Sequence, residues 1–290
     1  MKKLIAVTLT CLLMVTMLAA CGSPKTETPS TTAAPAETQA TAAPETTAAA
    51  QTEAAAASFT TIVPGKLVMS TNASFPPYEM VAADGSLEGI DIDVAAAIAQ
   101  KLGLELQIDN MGFDACILAV QQGKSDICMA GLTITPERSA VMDFTDTYAN
   151  GVQVVIVAAN SDIQTLDDLA NDKMIGTQMG TTGYIYCSDT VENGGYGEDH
   201  VVPYDDGAAA IQALLKGQID AVVIDNMPAQ EYVAANPGLK ILDMEYANED
   251  YAIGVAKGNT ALLDAVNAAL NELIADGTVQ SIVDKYISAN

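Results

Sequence analysis

Arg138, in the stretch GLTITPERSAVMDF (131–144), is the only arginine in the chain. Thr135 reads as a helix N-cap and Pro136 as the first helical residue. That places Arg138 in the first helical turn, where the helix dipole disfavours a cation by roughly a few tenths of a kcal/mol. A planar guanidinium fork matches a carboxylate with two parallel hydrogen bonds, which a lysine cannot do. Far along the chain, Asp225 closes the apolar run DAVVID (220–225) and is suited to an ammonium group. A small molecule carrying both groups a short distance apart is a free α-amino acid. The helix dipole would also favour a ligand carboxylate beside Thr135–Arg138.

A second anion cradle lies in MGTTGYIY (179–186). Gly180 permits close backbone approach, and Thr181 and Thr182 offer hydroxyls and N–H groups at a predicted helix start. The pattern is neither GxGxxG nor a phosphate loop with its lysine, so a nucleotide is disfavoured. ASFPPYEM (73–80) supplies a wall with Phe75 and Tyr78, and Phe113 is the candidate for the opposite wall. Asn72, where the first predicted strand ends, is placed to touch a polar ligand side chain. Plainer readings stand beside these. Arg138 could be a surface partner of Glu137 or Asp143, worth under about 1 kcal/mol. Asp225, Thr181 and Thr182 could be helix caps only, and Phe113 ordinary core. Their joint fit to one ligand is what favours a site.

These residues must be held by regular elements. Short β-rich runs alternate with helix-like segments: GKLVMST, then DIDVAAAIAQKLG, LELQI, FDACILAVQQG, DICMAG, TPERSAVM and GVQVVIVA, with a similar alternation through residue 244. This is the pattern of parallel α/β sheets flanked by helices. The C-terminal stretch reads as two amphipathic helices broken at Asp276–Gly277. AVQQGKSDICMAG (119–131) aligns without gaps on ALLKGQIDAVVID (213–225). Each has a helix end, a Gly, an Asp three residues on and a buried strand. Two similar α/β units about 94 positions apart follow. Ligands of open α/β sheets sit beyond the carboxyl ends of strands, and Arg138 and Asp225 come at or after two such ends.

The chain of 290 residues carries 37 acidic against 12 basic side chains, a net charge of -25. Such a surface will not hold nucleic acid, whose affinity comes from neutralised phosphates. The five cysteines form no CxxC and no Cys/His cluster, so neither a zinc site nor a cofactor is expected. Cys116, Cys128 and Cys187 read as small buried residues, with a Cys116–Cys128 bridge left open. Residues 1–20 combine a basic MKK start, an apolar run and LAA before Cys21, a secretion signal. Residues 22–58, nearly all Ala, Thr, Pro, Glu and Ser, cannot bury enough surface to fold and form a tether of about 35 Å as a random coil.

STNASFPPYEM, GIDIDVAAAIAQKLG, AVQQGKSDICMAGLTITPERSAVMDFTDTY, GTTG, DAVVIDN and YAIGVAKGN together resemble the polar amino-acid-binding proteins of bacterial ABC importers, solute-binding family 3. The resemblance covers about residues 60–290. It implies a two-lobed type II periplasmic-binding-protein fold, each lobe a mostly parallel sheet flanked by helices. One lobe would be 59–148 with 252–290 and the other 153–247, with hinges near 148–153 and 249–251. Arg138 would clamp the α-carboxylate, helped by Thr133 and the Thr182 backbone. Gly131 and Thr133 would receive the α-ammonium with Asp225 as its counter-charge, and Phe75 and Phe113 would flank the side chain. Some relatives that bind basic amino acids have an acid at the position of Asn72, a departure that weighs against a lysine- or arginine-type ligand. The N-terminus resembles a lipoprotein signal, with Cys21 lipidated and residues 21–58 tethering a monomer to the extracellular face of the cytoplasmic membrane. The implied partners are a free amino acid and a permease, without chemistry. The rivals are a sensing ectodomain and a dehydratase-like enzyme, for which the lone histidine, His200, lies far from the motifs.

Overall fold

The computed structural model describes residues 59–287. The expected signal segment, Cys21 and tether all lie outside the described residues. The first half runs β1 (Lys66–Thr71), β2 (Met80–Val81), β3 (Leu87–Glu88), α1 (Ile90–Lys101), β4 (Glu105–Asn110), α2 (Phe113–Gln121), β5 (Ile127–Cys128) and α3 (Pro136–Val141). A long strand, β6 (Met142–Ala158), leads to β7 (Ile175–Gln178), α4 (Thr182–Ser188), β8 (Val201–Tyr204), α5 (Gly207–Leu215), β9 (Ala221–Asp225), α6 (Asn226–Ala235) and β10 (Leu239–Ile241). The return strand β11 (Ala247–Ala256) precedes α7 (Thr260–Ala275) and α8 (Thr278–Tyr286).

Two matching parallel units result, ordered β4-β1-β5 and β8-β7-β9. Between them lie β6 and β11, antiparallel to each other; β11 also pairs with β5, and β6 with β9. The segments expected to be hinges fall where β6 and β11 pair, with Asn150 opposite Asp250 and Ala149 opposite Tyr251.

The aligned stretches do the same work in both units. Gly123 and Gly217 follow α2 and α5 with φ of 64° and 66°, a conformation glycine adopts without penalty. Three residues on, the Asp126 carboxylate accepts from the backbone N–H of Val68 and Ile62, and Asp220 accepts from that of Met174. Each Asp thus anchors the neighbouring parallel strand.

Side-chain alternation builds the cores. Ile127 and Met129 enter one apolar cluster with α1, β11, α7 and α8, while Cys128 and Ala130 enter another beside α2. Along β6, Val154 and Ile156 pack with α5, and Val155 and Val157 face the opposite side. This is the period-2 pattern of strands covered on both faces. Each such fully buried aliphatic side chain contributes about 1.5–3 kcal/mol. Cys116, Cys128 and Cys187 are buried free thiols, so the Cys116–Cys128 bridge left open by the sequence is not formed here.

Two expected strands differ in extent and one strand is additional. The strand expected at 151–158 begins at Met142, and the one expected to end at Gly131 stops at Cys128. β8 was not expected at all. It is a four-residue edge strand containing Pro203, whose missing N–H fits only an edge.

Candidate functional site

One cavity lies between the two parallel units and the paired strands. Asn72, Phe75, Phe113, Gly131, Thr133, Arg138, Thr181, Thr182 and Asp225, singled out from the sequence, all line it, whereas Tyr78, expected in the wall with Phe75, does not and packs against Phe75 instead. Sequence reasoning missed further polar members: Glu79, Gln153, Gln178, Glu249 and Tyr251.

Arg138 is buried at one end, with 6% of its surface exposed. The Thr135 hydroxyl accepts from its backbone N–H at 3.2 Å, fixing the first turn of α3. Nη1 donates to the Thr133 carbonyl at 2.8 Å and Nη2 to the Gly180 carbonyl at 3.2 Å, and the guanidinium carbon lies 5.2 Å from the centre of the Phe113 ring. Among the described residues no carboxylate comes within ion-pair distance of this guanidinium. The surface-pair reading fails for Asp143, which is held by Lys257 at 2.7 Å. Burial pulls the guanidinium pKa down, opposed by the charges around it, Glu249 and Asp114 included.

The facing element is α4. Thr181 caps it, accepting from the Tyr184 N–H at 3.4 Å, and Thr182 is its first residue. Gly180 has φ 76°, a conformation that strains any other residue, and a Cβ there would run into the Asp114 carboxylate. Gln178 donates across the cavity to the Asn72 side-chain oxygen at 2.9 Å, and the Asn72 amide donates to the Met111 carbonyl.

Asp225, fully buried at the end of β9, is an N-cap, accepting from Met227 N–H at 3.1 Å. Its other oxygen accepts from Val152 N–H at 2.9 Å and the Tyr251 hydroxyl at 2.7 Å. Cap and cavity wall are therefore one residue. Burial pushes its pKa up to about 6, against the lowering effect of those donors. Glu249 lies nearby on β11. One of its oxygens accepts from the Thr133 hydroxyl at 3.0 Å and the Gln153 amide at 3.1 Å, and the other is buried without a partner. The Thr133 hydroxyl proton is thus committed to Glu249, and it is the Thr133 carbonyl that braces Arg138.

Phe75 stacks on Tyr78 at 5.6 Å, and Tyr78 meets Tyr251 edge-on at 5.3 Å. A Cβ on Gly131, whose φ is 54°, would come within 2.7 Å of the Phe75 ring. Behind this aromatic wall sits Glu79, fully buried, with neither carboxyl oxygen hydrogen-bonded in the structure. Burial and the Asp91 charge hold its pKa well above the ordinary carboxyl value. Asp91, on α1, accepts from Gly131 N–H at 2.9 Å and the Tyr148 hydroxyl at 2.7 Å. Glu79 belongs to the proline-fixed loop that the sequence points to. An acid next to two aromatics and a proline pair was the signal available. Glu249 and Tyr251 carry no local signal, because their partners are distant in sequence: Thr133 and Gln153 lie 116 and 96 residues from Glu249, and Asp225 lies 26 from Tyr251.

His200 does not line this cavity; its Nδ1 lies 3.4 Å from the Lys173 carbonyl. No cluster of metal-ligating side chains occurs among the described residues.

The model of the family described as bacterial extracellular solute-binding proteins, family 3, matches residues 67–289. The ABC transporter arginine-binding protein 1 of Escherichia coli strain K12 is 34% identical over 226 residues, 76% of this chain and 90% of that one. An ancestral arginine-binding protein bound to arginine has a fold with TM-score 0.72 to this one at 40% identity, over 77% of this chain and 99% of the other. The structure of an ancestral arginine-binding protein bound to glutamine gives 0.71, also at 40% identity, over 78% and 100%.

Proposed function

This chain belongs to the bacterial extracellular solute-binding proteins, family 3, and from that we propose that it captures a free amino acid with a cationic side chain and delivers it to the permease of an ABC importer. It shares the two-lobed α/β fold of amino-acid-binding relatives, which are binding proteins. The observation that carries the reading is Arg138: a buried guanidinium with no carboxylate partner among the described residues, lining the same cavity as Asp225. Burying a charge is costly unless an opposite charge joins it. An α-carboxylate supplies that charge, and Asp225 answers the α-ammonium.

A cationic side chain is supported by the acidic wall and by the relatives' ligands. Glu79 and Glu249 present buried carboxyl oxygens without donors. The expectation drawn from Asn72, that a basic ligand is disfavoured, weakens once Glu79 is seen to bring an acid to the same cavity. The lobes are 59–148 with 252–290 and 153–247. They close about hinges at 148–153 and 249–251, and the ligand is released unaltered. Thermal unfolding against the twenty amino acids and cystine tests this. Ligand at about 100 times Kd adds about 2.7 kcal/mol, so arginine or lysine should raise the midpoint by several degrees and be recovered unchanged. A midpoint unmoved by every amino acid removes the reading.

Anchoring is part of the proposal. Cys21, lipidated after removal of residues 1–20, tethers the binding domain, a monomer, outside the cytoplasmic membrane through residues 22–58. Two or more acyl chains hold a protein on a bilayer stably. In cells given a labelled fatty acid, the protein should carry label and partition with detergent, and Cys21→Ala should do neither. Equal labelling of the variant rejects the anchor.

A further inference from the structure

The clamp for the amino and carboxyl ends leaves Glu79 and Asp91 unused. Both are fully buried. Asp91 has two donors, the Gly131 N–H and the Tyr148 hydroxyl. Glu79 lines the cavity with neither oxygen hydrogen-bonded. The backbone N–H of Asp91 donates at 2.9 Å to the carbonyl of Tyr78, the residue before Glu79, and Gly131, whose N–H Asp91 holds, lines the cavity with Glu79. Two buried carboxyl groups held so near one another repel strongly when both are ionised. A proton on Glu79 changes the geometry from two acceptors to a donor and an acceptor.

We propose that Glu79 and Asp91 share one proton in the ligand-free protein and that the cationic end of the ligand side chain displaces it, so that capture of a basic amino acid releases a proton to solvent. This rests on the amino-acid reading above and deepens it, since it makes the pair the device that sets charge selectivity. A neutral side chain meets a neutral acid pair and leaves the proton in place. A cation meets a pair that becomes fully ionised, and the proton is exchanged for it. The groups facing Glu79 are consistent with a held proton. The titratable groups whose charges act on it are Asp91 on α1, Tyr148 on β6, whose hydroxyl donates to Asp91, Cys128 on β5 and Tyr78 of its own loop, and Asp225 acts in turn on Tyr78. None is a cation, and Arg138 is the one cationic side chain lining the cavity. Burial first and the Asp91 charge second raise the Glu79 pKa, in the direction of a held proton.

Calorimetric titration of the ligand-free protein at about pH 7.5, in phosphate and in Tris, counts protons from the dependence of the heat on buffer ionisation enthalpy. At that pH Asp225 is ionised, since its pKa is about 6. Arginine should release close to one proton and its neutral isostere citrulline none, by the linkage between bound protons and affinity. In Glu79→Gln the release should vanish, arginine should bind roughly tenfold or more weakly, and citrulline should change by less than about threefold. Arginine binding without proton release by the unsubstituted protein overturns the proposal, as does undiminished release from Glu79→Gln. If neutral amino acids bind and no cationic one does, proton displacement is wrong and amino-acid capture stands. If no amino acid binds, both fail.

Discussion

Arg138→Lys should lower the affinity for the amino acid by roughly 10- to 150-fold while the fold and its melting cooperativity persist. The estimate is the loss of about 1.5–3 kcal/mol, one charge-assisted contact in a buried site. Lysine keeps the charge and loses the fork. In the protein the fork is already aimed: one N–H goes to the Thr133 carbonyl and one to the Gly180 carbonyl, leaving the rest of it for a ligand. Those two contacts also bridge α3 to the turn before α4, so the arginine holds the cavity's two sides together. An ammonium on a flexible stem can keep one carbonyl or the ligand, but it cannot keep both carbonyls and a bidentate carboxylate. The delocalised cation 5.2 Å from the centre of the Phe113 ring is lost as well. Calorimetry of both proteins with the best ligand of the thermal panel measures this. Equal affinities would remove Arg138 from the carboxylate subsite, and Arg138→Ala should be weaker still.

The two ends of the proposed clamp were legible because single residue types identify them. One arginine in an acidic chain, at a helix start where its charge is disfavoured, points to a ligand. An aspartate closing a buried strand before NMP is ambiguous between cap and counter-charge, and the structure gives it the cap while leaving it in the cavity wall. The paired units were legible for a physical reason. Gly at positive φ and Asp three residues later are both demanded by the backbone, the first to end a helix and the second to hold the next strand. What stayed hidden depends on distant pairing. The first part of β6, MDFTDTYAN, is a mixed polar run whose partner β11 lies about a hundred residues on. Glu249 gains its place by that pairing alone. Glu79 was hidden differently: it stood inside the quoted loop, and only its burial without a donor makes it more than a surface acid.

Asp225→Asn should cost both affinity and stability, and its effect should depend on pH in a stated direction. The carboxylate accepts from Met227 N–H, Val152 N–H and the Tyr251 hydroxyl. An amide turned either way sets an NH2 donor against at least one of these donors. One buried unsatisfied group costs about 1–3 kcal/mol, so the melting midpoint should fall before any ligand is added. The ammonium of the ligand then meets a neutral amide, and affinity should fall roughly tenfold or more. The pH dependence follows from the raised pKa of about 6 in the ligand-free fold, against about 3.9 for an unfolded aspartate. A group whose pKa is raised by folding stabilises the protein fully below its unfolded value, and that contribution disappears as pH rises through the folded value. Between about pH 4 and 6, Asp225 therefore makes the ligand-free protein less stable as pH rises. Ligand binding has the opposite slope, because only the ionised form answers an ammonium. Affinity should decline below about pH 6, approaching tenfold per unit. Citrulline is the right probe, since a neutral side chain leaves the Glu79–Asp91 proton in place. If Asp225→Asn binds citrulline with the same affinity and the same acid limb as the unsubstituted protein, Asp225 is a cap and nothing more.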